Sequence, residues 1–183
     1  MDFNQSTGDK EAMSSKYHIA ATQVDRTPSP TGVTDPVASE ILRGTSRMLI
    51  DSGLAPVAEF TLPNGRRADI AALDRGGVFT IVEIKSSLAD FRTDQKWPEY
   101  AEYCDRFFFA VKPDFPCDIL PASCGLILAD RYGAEIVRPA AELPPLPAAR
   151  RKVLMLRFAR TAAVRLAAIF DPELKTRSEA KEA

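Results

Sequence analysis

A chain of 183 residues, 45% hydrophobic and with a formal net charge of −1, has the length for one ordinary domain plus tails and enough apolar content for a real core. No run reaches the ~18 apolar residues that a membrane span needs, and Met1-Asp2-Phe3-Asn4-Gln5 lacks the basic head and apolar segment of a secretion signal. Cys104, Cys117 and Cys124, without CxxC spacing and with His18 as the single histidine, give no zinc pattern; reduced thiols in a cytoplasmic protein are expected.

Residues 1–34 are polar, carry Thr27-Pro28-Ser29-Pro30 and show no apolar periodicity, so a disordered arm is expected there. Order begins at Asp35-Pro36, an acidic N-cap with proline at the first helical position. Val37, Ile41, Leu42, Met48 and Leu49 recur at helical spacing up to the Ser52-Gly53 stop, and Glu40 lies near the start of this helix. Three strands follow: Val57 to Leu62, then Arg67 to Leu73 across a Pro63-Asn64-Gly65 turn, then Val78 to Lys85 after Asp74-Arg75-Gly76-Gly77. Loops this short predict an antiparallel meander.

Residues 89–104 have helical aromatic spacing, with a break or kink at Pro98 and Asp94 or Lys96 near a helix start. Arg106 to Lys112 is the next strand; a helical crossover before it sets it parallel to a neighbour. Gly125 to Asp130 and Ala134 to Arg138 read as two more strands, and 140–147 as a Pro-rich connector. Ala148 to Phe170 is a long helix, apolar over much of its circumference and so expected to pack on the sheet. The organisation is an arm over 1–34, one domain over 35–171 and a charged tail over 172–183. Residues 36–170 hold 16 acidic and 18 basic residues, which permits a nucleic-acid partner without requiring one.

The chemistry concentrates at Asp69 and at Glu83-Ile84-Lys85. Period-2 alternation puts Phe79, Ile81, Glu83 and Lys85 on one strand face and Thr80, Val82 and Ile84 on the other. Opposite charges at the end of so apolar a strand are costly without partners or a task. Asp69 and Glu83 fall on adjacent antiparallel strands, where both carboxylates can reach one Mg²⁺ or Mn²⁺, with the Ile84 carbonyl as a further oxygen. Lys85, on the Glu83 face, suits neutralising charge that develops on a phosphate. The bland alternative is an exposed strand end with cross-strand ion pairing, and D-x13-E-x-K alone is a weak pattern.

With those residues in place, 36–112 resembles the PD-(D/E)xK nuclease-like superfamily, an αβββαβ core. The runs Glu83-Ile84-Lys85-Ser86-Ser87, Ala89-Asp90-Phe91, Asp94-Gln95-Lys96-Trp97-Pro98-Glu99-Tyr100, Tyr103-Cys104-Asp105-Arg106 and Phe108-Phe109-Ala110-Val111 resemble the MmcB-type bacterial DNA-repair proteins more specifically. The resemblance implies an α/β, restriction-endonuclease-like fold with a mixed central sheet flanked by helices. It also implies Asp69 and Glu83 as metal-binding acids, Lys85 as the catalytic lysine and Glu40 as an additional first-helix acid. Arg67-Ala68-Asp69 departs from the pattern in lacking the proline. The function implied is DNA repair by metal-dependent phosphodiester hydrolysis, or by a non-cleaving module that holds DNA or another repair protein.

Two further features are candidates for DNA contact. Lys96 follows the site in a segment that mixes charge with aromatics, although Trp97 suits the core better. Arg150, Arg157 and Arg165 lie within about 80° of each other on the last helix, a stripe that suits a phosphate backbone or a solvated face.

Overall fold

The computed structural model describes residues 35–94, 96–141 and 143–173; the predicted arm over 1–34 and the tail beyond 173 lie outside the described residues. Helix α1 (Pro36–Asp51) starts where Asp35 accepts a hydrogen bond from the Val37 N–H at 2.9 Å and Pro36 needs no donor. Strands β1 (Ala55–Thr61), β2 (Arg67–Leu73) and β3 (Phe79–Lys85) form the antiparallel meander. Helix α2 (Leu88–Thr93) and a 3₁₀ helix (Trp97–Tyr103) then lead to β4 (Arg106–Val111), which pairs parallel to β3. Strand β5 (Gly125–Ala129) is parallel to β4, β6 (Ala134–Arg138) is antiparallel to β5, and α3 (Ala148–Phe170) closes the fold. The six strands lie in chain order across one mixed sheet.

The break expected near Pro98 falls a few residues earlier. Asp94 ends α2 with extended dihedrals, and Pro98 is the second residue of the new 3₁₀ turn, where a missing N–H costs little. Trp97 packs on Phe107 and Phe109, and Tyr100 stacks on Phe107, so these aromatics serve the core.

Strand alternation splits that core in two. On one face Ile41 and Leu49 of α1 meet Ile70, Ala72, Val82, Ile84 and Ile127. On the other, Leu154 and Phe158 of α3 join Phe60, Phe79, Ile81, Phe107 and Phe109. Glu83 and Lys85 share the parity of Phe79 and Ile81, and therefore open toward the second face, away from α1. Helix α3 packs less than its composition suggests. Leu154 and Phe158 are its buried residues, while Val153, Leu156, Val164, Ile169 and Phe170 stay exposed.

Candidate active site

The site is built where β2 and β3 part. Ile70 pairs with Val82, and one more step of that register sets Asp69 across from Glu83. The Asp69 side chain takes over the next ladder bond: its Oδ2 accepts from the Ile84 N–H at 2.7 Å. Glu83 and Lys85 follow on the same face with side chains 6% and 2% exposed. The Lys85 ammonium lies 3.4 Å from Glu83 Oε1 and 2.8 Å from Asp94 Oδ2. Glu83 Oε2 is buried and, among the described residues, has no hydrogen-bond partner.

Burial raises the Asp69 carboxyl above the ordinary aspartate range; the Ile84 amide and Lys85 offset only part of this. Glu83 is raised in turn, first by burial and then by the Asp69 charge, with Lys85 opposing. Burial works against the Lys85 ammonium, but the Asp94 hydrogen bond and the Glu83 charge outweigh it and hold the group charged. For Asp94, burial is likewise outweighed, by the Lys85 hydrogen bond, and its carboxyl is lowered. Acidic groups thus outnumber the one lysine among them, and one buried Glu83 oxygen is left unpartnered. That donor set fits a hard divalent cation, which prefers oxygen ligands. The match stops at two side chains: among the described residues, no group of three or more His, Cys, Asp or Glu is arranged to hold a metal ion.

Glu40 is not brought to this cluster. It sits on α1 and pairs with Lys112 at 3.4 Å, because α1 covers the face of Val82 and Ile84 whereas Glu83 points the other way. The Ile84 side chain packs toward α1, and its N–H donates to Asp69 Oδ2. Lys96 is exposed beside Asp94, its N–H 3.3 Å from Asp94 Oδ1.

The arginines of α3 have partners within the fold. Arg150 donates to the Glu102 carbonyl at 2.8 Å and lies over the Tyr103 ring. Arg157 donates to the carbonyls of Thr61 and Leu62, both at 3.1 Å. Arg165 donates to the carbonyls of Ala58 and Glu59. The stripe, half-buried at Arg150 and Arg157 and exposed at Arg165, straps α3 to the 3₁₀ helix and to β1, the edge of the sheet.

Two residues near the site were not singled out from sequence. Asp94 appeared only as one charge among several, with nothing local to mark it as the partner of Lys85. Glu59 occupies the β1 position between the Ala58–Ile70 and Phe60–Ala68 pairs, across from Asp69. Its φ of 50° is unusual for a non-glycine residue, its carboxylate pairs with Arg67 at 2.8 Å, and its charge adds to the upward push on Asp69. The available signal was that Glu59 is the one charge in Ala55–Thr61, the same anomaly that marks β3.

Comparison with known proteins agrees with this architecture. Among curated proteins none matches the sequence. The solved structure of the SPO1766 protein of unknown function from Silicibacter pomeroyi is 47% identical, with a TM-score of 0.73 over 75% of this chain and 93% of that one. The family model described as DNA repair protein MmcB-like matches residues 25–173, most of the chain and all of the sheet. The chain belongs to the MmcB-like family of DNA repair proteins.

Proposed function

We propose that this protein acts on DNA during repair as a Mg²⁺- or Mn²⁺-dependent deoxyribonuclease of the PD-(D/E)xK kind. The observation that carries the reading is the buried Glu83 carboxylate beside Asp69, with Oε2 unpartnered and a charged lysine on the same face. Asp69 and Glu83, with the Ile84 carbonyl, are the groups that would hold the cation. Such a cation, when bound, polarises a phosphoryl oxygen and makes water nucleophilic near neutral pH. Lys85 brings a fixed positive charge to the face on which phosphate charge builds up during attack. Lys96, exposed beside Asp94, would supply a cation for a neighbouring phosphate. Hydrolysis joins the water oxygen to phosphorus, breaks one ester bond and releases a sugar hydroxyl that carries one of the water protons.

The experiment is cleavage of single-stranded, duplex and branched DNA with Mg²⁺ or Mn²⁺, beside Glu83→Ala and Lys85→Ala. Both substitutions are expected to abolish cutting; activity that survives both sinks the site assignment. A second reading, a module that holds DNA or a repair partner without cutting, draws on the two-carboxylate donor set and on a lysine already engaged by two acids. Intact DNA binding with no cleavage of any substrate would select it.

A further inference from the structure

Lys85 stands between two carboxylates at unequal range. Its 2.8 Å approach to Asp94 is the length of a charge-assisted hydrogen bond, whereas 3.4 Å to Glu83 is the outer limit of one. Asp94 can carry its charge cheaply, being 30% exposed, while Glu83 is 6% exposed. Asp94 is also firmly placed: it ends α2, its N–H donates to the Asp90 carbonyl at 3.1 Å, and its Oδ1 receives the Lys96 N–H. Because the ammonium is drawn to Asp94, one Glu83 oxygen is held loosely and the other not at all.

We propose that Asp94 is a positioning residue that pulls Lys85 off Glu83 and so keeps the Asp69–Glu83 pair available to a divalent cation. This deepens, and rests on, the metal-site reading above. Without the Asp94 charge, Glu83 is the remaining acidic partner that contacts Lys85. The ion pair then closes and competes with the cation for the same carboxylate.

The test is Mn²⁺ titration calorimetry on the full chain, first with wild type and Glu83→Gln to establish the site, then with Asp94→Asn, Lys85→Met and the double variant. Asp94→Asn is expected to weaken Mn²⁺ binding by about tenfold, in the range of coupling between contacting charges. In the Lys85→Met background the same substitution should change affinity by less than about twofold, because the competitor is gone. Asp94→Glu, which restores the charge, should recover most of the loss. Asn retains the acceptor for the Lys96 N–H; if that variant fails to fold, Asp94→Ser, which also keeps an acceptor, replaces it. Unchanged affinity in Asp94→Asn overturns the proposal, as does an equal loss in both backgrounds, which is what a charge acting through space alone produces. A wild type that binds no Mn²⁺ overturns the metal site and this inference together; failure of the cycle with Mn²⁺ bound at Glu83 overturns this inference alone.

Discussion

Removing Arg151 should loosen the fold at the junction opposite the candidate site. Its guanidinium donates to Asp105 Oδ1 at 2.7 Å, to Asp105 Oδ2 at 2.8 Å and to the Gly77 carbonyl at 2.6 Å. Asp105 in turn accepts from the Phe79 N–H at 2.7 Å and the Leu146 N–H at 3.4 Å. One ion pair thus ties the starts of β3 and β4 to the Pro-rich connector and to α3. The side chains are 27% and 14% exposed, between the surface pairs worth about 0–1 kcal/mol and the buried ones whose breakage costs about 3–5. With two charge-assisted bonds and one neutral bond lost, Arg151→Ala should cost about 2–3 kcal/mol. Urea unfolding followed by circular dichroism at pH 7 reads this directly, and a cycle with Asp105→Asn should return a coupling of at least about 1 kcal/mol.

The same pair sets a pH dependence. Burial pushes the Asp105 carboxyl up, but the Arg151 hydrogen bonds and the backbone donors outweigh it, so its pKa falls below the ordinary 3.8. A lowered carboxylate pKa contributes stability that is present above 3.8 and is lost as the pH drops through the folded value. The gap between wild type and Arg151→Ala should therefore narrow in acid below about pH 4. A cost under about 0.5 kcal/mol at pH 7, or a gap independent of pH, would refute the reasoning.

Other substitutions separate packing from function. A Cβ at Gly44 would collide with the backbone carbonyls of Asp130 and Gly133, so Gly44→Ala should lower thermal stability by at least about 2 kcal/mol or prevent folding, read by calorimetry. Phe158 has its ring 5.9 Å from Phe60 and 5.8 Å from Phe79; Phe158→Ala should cost about 3–4 kcal/mol in urea titrations. Lys96→Ala should reduce the slope of log affinity for DNA against log salt by about 1, as loss of one phosphate contact does. Arg157→Ala with Arg165→Ala should leave that slope unchanged while lowering the unfolding midpoint, because these cations are spent on backbone carbonyls.

What could be read from the sequence follows the range of the interactions. The bounds of β2 and α3 emerge from local signals, alternation between turn residues in one and an uninterrupted helical run in the other. The juxtaposition of Asp69 with Glu83 was legible too, since a meander with short loops leaves few registers. What the sequence leaves open lies at long range. Helical spacing puts Arg150, Arg157 and Arg165 on one side, but whether that side meets solvent or a strand 107 residues away is decided by tertiary packing. The place of Glu40 is illegible for a related reason: sequence order places α1 before the meander without saying which face it covers. The choice of Asp94 as the partner of Lys85 depends on where α2 stops, a detail of one or two residues that periodicity does not resolve.

The arginines of α3 have a consequence for how copies of this protein can meet. An open sheet has two rims, and a molecule with both rims free can add neighbours on either side without limit, as ribbons and fibrils do. Here the carbonyls of Ala58, Glu59, Thr61 and Leu62 along β1 are already occupied by Arg157 and Arg165. The other rim is β6, where Ile136 and Val137 are exposed. The arginines of α3 thus occupy carbonyls that an incoming strand would need, which makes β1 the poorer of the two rims for strand addition.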